Sequence, residues 1–139
     1  MRAKEYLLQY RRALERIRQL DARIERLYLE AEIQATAPKE VDVKGSGLKR
    51  DRTAELAVKI ADTTERLNAE RLDALELVND ISAVIDRVPD TVQSRLLFDR
   101  YVAGMTWDQT AADIGHDPVH TRGRLHGAAL EAVRVILYQ

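Results

Sequence analysis

The first 35 residues carry one long helical pattern, and this pattern constrains the fold more than any other feature of the sequence. Apolar residues recur at steps of three and four, the spacing of one face of an α-helix. A helix from about Arg2 to Ala35 would be roughly 50 Å long at about 1.5 Å per residue, too long for a compact domain of this size. The pattern therefore predicts a coiled-coil arm. Its stripe comprises Leu7, Tyr10, Leu14, Ile17, Ile24, Tyr28 and Ala31.

A second long stripe follows a break in this pattern. Residues 37–49 are predicted to form a flexible linker, because Pro38 cannot continue a helix and Gly45-Ser46-Gly47 is typical of mobile connections. The next helix is predicted from about Arg50 to Arg87, so that the two long helices form an antiparallel hairpin. Because one hairpin buries little apolar surface, we expect it to form a homo-oligomer, most simply a dimer. The second stripe comprises Leu56, Ile60, Leu67, Ala74, Val78, Ile81, Ile85 and Val88.

The pattern changes at Pro89, beyond which three shorter helices are predicted. Each is preceded by an Asp or Thr that can cap a helix N-terminus. The chain is therefore predicted to be all-α, with a coiled-coil oligomerisation hairpin over residues 1–88 and a helix-turn-helix module over residues 89–139. The three short helices cover about Thr91–Ala103, Trp107–Ile114 and Pro118–Tyr138.

The middle of this module has the features of a helix-turn-helix. Ala111 is a small residue where the two helices would approach closely, and Gly115 permits the left-handed backbone of a tight turn. A generic helical hairpin shares these features, so the spacing alone is a moderate signal.

The segment around this turn resembles region four of sigma-70-type factors. The resemblance is carried by residues 96–115, LLFDRYVAGMTWDQTAADIG, while residues 125–130, LHGAAL, are similar to the ending of phage regulators of the ArpU and RinA type. It implies a phage or prophage transcriptional regulator that binds double-stranded DNA and controls late genes, alone or with RNA polymerase. The chain departs from the pattern at Thr110, where those proteins carry a branched aliphatic residue.

A helix-turn-helix reads DNA through the N-terminal part of its second helix, which enters the major groove. Arginine can donate two hydrogen bonds to guanine, and polar side chains on neighbouring elements can contact phosphates. Trp107 is interpreted as a half-buried anchor rather than a base-stacking residue. The predicted DNA-contacting residues are Arg100, Gln109, His120, Thr121, Arg122, Arg124 and His126.

The charge balance does not by itself favour a polyanionic partner. The whole chain has 22 basic and 23 acidic residues, and residues 89–139 contain five arginines and six acidic residues. Residues 1–26 have a surplus, eight basic against four acidic, which is interpreted as a solvated helix face. Two alternatives therefore stay open: a small terminase-like DNA-recognition subunit, and a helical protein–protein adaptor without DNA binding.

Other classes of protein are disfavoured. The absence of cysteine excludes disulfides, thiol nucleophiles and Cys-ligated zinc. His116, His120 and His126 do not form a convincing metal site, since Asp117-Pro118 interrupts the helix after His116. No phosphate loop or nucleophile motif indicates an enzyme or a cofactor. Without an apolar run long enough for a bilayer or a secretory signal, the chain is expected in the cytoplasm of a bacterial host, with no membrane partner.

Overall fold

A computed structural model describes residues 1–36 and 43–139, and within these ranges the backbone consists of helices joined by short irregular connections, with no β-strand. The prediction of an all-α fold with a long helical hairpin is confirmed. Two of the helices contain a π-helical turn, one at Phe98–Val102 and one at Thr121–Leu125. The helices are α1 (Ala3–Thr36), α2 (Val43–Asp86), α3 (Thr91–Leu97 and its π turn), α4 (Trp107–Ile114) and α5 (Pro118–His120, its π turn and His126–Leu137).

The second long helix begins earlier than the sequence predicts. Its first residue is Val43 rather than Arg50, so Gly45-Ser46-Gly47 belongs to α2 and not to the predicted linker. Glycine costs about 1 kcal/mol relative to alanine in a helix, which weakens the helix without forbidding it. The rest of the predicted linker, residues 37–42, lies outside the described residues.

The chain divides into two compact units, and the predicted boundary at residue 88 does not separate them. The first unit contains Met1–Leu14 and Asp73–Gln139. The start of α1 and the end of α2 therefore belong to the same unit as the C-terminal helices. The reason is a shared apolar core, to which α1, α2, α3 and α5 all contribute. Its buried residues are Ala3, Leu7, Ile81, Ile85, Val88, Leu96, Leu97, Tyr101, Ala129 and Val133.

The second unit, Glu15–Leu72, is the middle of the helical hairpin. Leu20, Leu56 and Leu67 are buried in it, and Leu56 and Leu67 belong to the second predicted stripe. Two polar positions that interrupt these stripes are paired, since Asp21 forms a 3.5 Å ion pair with Arg71. None of the described helices combines the length and the apolar character needed to cross a bilayer.

The three predicted N-caps all form in the first unit. The Asp90 carboxylate accepts hydrogen bonds from the backbone N–H groups of Val92 and Gln93, and the Asp117 carboxylate accepts one from His120. Thr106 and Gln109 form a reciprocal capping box at the start of α4. Gly115 ends α4 with φ at +72°, the left-handed conformation that the helix-turn-helix interpretation requires. Local side-chain chemistry thus fixes where the short helices begin and end.

Candidate nucleic-acid interface

The beginning of α5 is exposed within the first unit. Val119 is 81% exposed, and the side chains of His120, Arg122 and Arg124 also reach the surface. Neither arginine forms an ion pair with an acidic residue in the described parts of the chain. The helix thus presents two uncompensated guanidinium groups at the end that would enter a DNA groove.

Two glycines leave space on the same helix. A Cβ placed on Gly123 or Gly127 would meet no atom within 4 Å beyond the local helix backbone. Nothing packed against them in the described structure therefore requires glycine, and the helix backbone is open to close approach from outside.

Thr121 was predicted to contact DNA, and its burial contradicts this prediction. Its side chain is completely buried, and its hydroxyl donates a 2.8 Å hydrogen bond to the carbonyl oxygen of Asp117. Thr121 therefore stabilises the first turn of α5.

His126 is also removed from the predicted interface, because it lies in the core of the module. Its Nε2 atom is 2.7 Å from the Tyr101 hydroxyl, and the Trp107 ring packs edge-on against it at 4.7 Å between centroids. Burial lowers the pKa of His126 to about 4, with smaller contributions from the positive charges of Lys4 and Arg100. The imidazole is consequently neutral at pH 7 and joins α3, α4 and α5.

Arg100 is half-buried, and its predicted phosphate contact is replaced by internal bonds. Its Nη1 atom donates a 2.6 Å hydrogen bond to the carbonyl oxygen of Met105, and its guanidinium lies 4.2 Å from the centre of the Trp107 ring. The stacking also settles the position of Trp107, which is partly buried as predicted.

Gln109 is exposed, but its side chain is occupied. The Gln109 Oε1 atom accepts a 2.9 Å hydrogen bond from the backbone N–H of Thr106. Gln109 is therefore a capping residue, and a DNA contact would have to break this bond or use the amide N–H₂ group.

Most acidic side chains of the module are committed to structural roles. Asp90 and Asp117 cap helices, whereas Asp113 and Glu131 form ion pairs with Arg95 and Arg134 at 2.7 Å and 2.5 Å. Burial raises the pKa of a fifth residue, Asp99, to about 6, and the neighbouring Asp113 carboxylate raises it further. Arg122 and Arg124 are thus exposed arginines of the module that have no ion-pair partner among the described residues, unlike Arg95 and Arg134.

The structure also places basic residues of α1 beside the module, which sequence reasoning did not predict. The Arg11 guanidinium packs against Gly104, and the charge of Lys4 acts on His126. Burial lowers the pKa of Arg100, and the positive charges of Arg11 and Arg122 lower it further. The basic surplus of residues 1–26 is the sequence feature that could have indicated these contacts. It was interpreted as a solvated helix face, so the contacts were not predicted.

The exposed histidines do not assemble a metal site in the described structure. The rings of His116 and His120 are 5.9 Å apart, and among the described residues no group of three His, Asp or Glu side chains could hold a metal ion.

Comparison of the chain with protein-family models, curated proteins and solved structures found no match.

Proposed function

We propose that this chain is a DNA-binding transcriptional regulator whose recognition helix is α5. The observation that carries the proposal is the exposed start of α5, where Arg122 and Arg124 lack acidic partners within the described residues. Arginine is the side chain best suited to read guanine in the major groove. His120 lies on the same exposed turn and can contact a base edge or a phosphate.

The charge distribution supports this function better than the charge total does. Four acidic residues of the module are held in caps or ion pairs, and Asp99 is buried. Positive charge from α1 also reaches the module, since Arg11 acts on Arg100 and Lys4 acts on His126. A protein gains DNA affinity from the phosphates it neutralises locally, not from its overall charge.

The resemblance to sigma region four and to ArpU and RinA regulators suggests the kind of DNA, the partner and the location of the protein. On this basis the DNA is a phage or prophage promoter of late genes, and RNA polymerase is a partner of the bound protein. Such a regulator works in the cytoplasm of a bacterial host. The hairpin would join two copies, so that two α5 helices read two half-sites.

Selection from a random-sequence duplex library, followed by binding titrations on the selected and a scrambled duplex, tests the proposal. We expect the full chain to prefer the selected duplex and to bind it less tightly as salt rises. Arg122→Ala and Arg124→Ala should each weaken binding to the selected duplex by about 1–3 kcal/mol.

Arg134→Gln is the matched control, because Arg134 is an exposed arginine of the same helix that pairs with Glu131. It should bind like the unaltered chain. Binding to no duplex at any salt concentration would refute the DNA function and favour an adaptor. Assembly into a large ring rather than a dimer would favour the terminase-like alternative.

A further inference from the structure

The turn between α3 and α4 holds two guanidinium groups from distant parts of the chain. Arg100 donates to the carbonyl oxygen of Met105 at 2.6 Å. On the adjoining residue, a Cβ placed on Gly104 would lie only 2.7 Å from the Cζ and Nη2 atoms of Arg11. Arg11 therefore reaches this turn from α1 because Gly104 has no side chain.

No described carboxylate compensates this cluster. Arg11, Arg100 and Arg122 are absent from the ion pairs formed within residues 1–36 and 50–139. The buried Nε of Arg100 makes no hydrogen bond in the described structure. Arg11 and Arg122 both act electrostatically on Arg100, so each of them lies within range of the Arg100 charge. Like charges held together cost free energy, and a bound anion would offset that cost.

We propose that Arg11 binds a phosphate of the DNA backbone beside the segment that α5 reads. This inference rests on the proposed function and adds α1 to the interface. Arg11 is suited to this role because its guanidinium contacts the turn next to Arg100, while the exposed Arg122 lies on the recognition helix. A phosphate contact fixes the position of a protein on DNA and carries no base sequence information.

Arg11→Gln distinguishes a phosphate contact from a base contact. We expect the variant to bind the selected and the scrambled duplex more weakly by the same factor. The slope of log affinity against log salt concentration should fall in magnitude by about 0.9, the value for one lost phosphate contact. Arg122→Ala, by contrast, should reduce the preference for the selected duplex.

Arg12→Gln is the control, since Arg12 is the neighbouring exposed arginine on α1 and loses the same charge. It should keep the salt slope of the unaltered chain. Arg11→Lys retains the charge and should keep most of the slope, whereas a purely structural role would lower the unfolding midpoint of Arg11→Gln without changing its slope.

The outcomes separate this inference from the function on which it rests. Equal salt slopes for Arg11→Gln, Arg12→Gln and the unaltered chain would overturn the phosphate contact alone, while the Arg122→Ala result still supported DNA reading. If the unaltered chain bound no duplex, both would fall.

Discussion

Asp99 and His126 are buried side chains of the same module, and their pKa values move in opposite directions. Burial raises the pKa of Asp99 to about 6 and lowers that of His126 to about 4. Protonated Asp99 stabilises the folded chain fully at pH values below the pKa that its carboxyl has in the unfolded chain. This contribution is lost as pH rises through 6. Neutral His126 contributes stability that is complete above about pH 6.5 and is lost as pH falls towards 4. The two effects oppose each other between pH 4 and 6.5.

Replacing Asp99 with Asn should reveal the contribution of His126 to the pH dependence of the free energy of unfolding. Asparagine has nearly the same shape as the protonated carboxyl, but it does not titrate. We expect the free energy of unfolding of Asp99→Asn to fall by about 2–3 kcal/mol between pH 6.5 and 4.5, and to exceed that of the unaltered chain above pH 7. Urea unfolding across this range measures both effects. Parallel pH profiles for the two chains would contradict the prediction.

Thr110 and Thr121 are completely buried threonines with different hydroxyl environments. The Thr110 hydroxyl has no hydrogen-bond partner in the described structure, whereas that of Thr121 donates to Asp117. Valine has the same shape, so Thr110→Val should raise the free energy of unfolding by about 1 kcal/mol. Thr121→Val should lower it by a similar amount because it removes the hydroxyl's hydrogen bond to the Asp117 carbonyl oxygen, which keeps only the backbone N–H of Thr121 as a donor. Stabilisation of both variants, or of neither, in urea unfolding would show that this account of the hydroxyls is wrong.

Helix caps were predictable from the sequence, whereas the inward face of α5 was not. Asp90, Thr106 and Asp117 act on the residues that follow them, so short-range pattern was sufficient. The π turn at Thr121–Leu125 adds a residue to one turn of α5, so that Thr121 and His126, five positions apart, both point inward. The regular helical period of the sequence does not indicate this extra residue. The two residues were therefore predicted to contact DNA.

The contact between Arg11 and Gly104 was beyond local reasoning for a different reason. It joins residues far apart in the sequence, and nothing in the pattern of α1 distinguishes Arg11 from Arg12. The apolar stripes, in contrast, depend only on helical period, and Leu56, Leu67, Ala74, Ile81, Ile85 and Val88 are buried as predicted.

Gly123 in α5 offers a test that separates stability from DNA approach. Because a Cβ there meets nothing, Gly123→Ala should raise the free energy of unfolding by about 0.5–1 kcal/mol. If this face of the helix lies against DNA, the same variant should bind the selected duplex more weakly. Gly127→Ala is the comparison, with an equally open site one turn further along. Unchanged affinity of Gly123→Ala would place the backbone at this position away from the DNA.

The middle of the hairpin carries exposed apolar residues that are suited to self-association. On α2, Val58 and Leu72 are 59% and 65% exposed, and their fourteen-residue separation places them on one face of the helix. We expect the full chain to be a dimer, and the double variant Val58→Glu/Leu72→Glu to be a helical monomer. Light scattering after size exclusion, with circular dichroism, measures both properties.

Asn68→Glu provides the control, because it adds a negative charge at an exposed polar position of the same helix. It should leave the mass unchanged. A double variant with the same mass as the unaltered chain would exclude this face as the contact between copies.

Under the proposed function, the open glycines of α5 limit how many bases one copy of this helix can distinguish. Because Gly123 and Gly127 have no side chains, only His120, Arg122 and Arg124 would be left to contact base edges. Each good base contact contributes about 1–3 kcal/mol to the preference for one sequence. Three side chains therefore give too little specificity to select one site among the millions of competing sites on a bacterial chromosome. A lone copy would consequently scan DNA almost indifferently, and selectivity would arise only when a second reader or a polymerase shares the site.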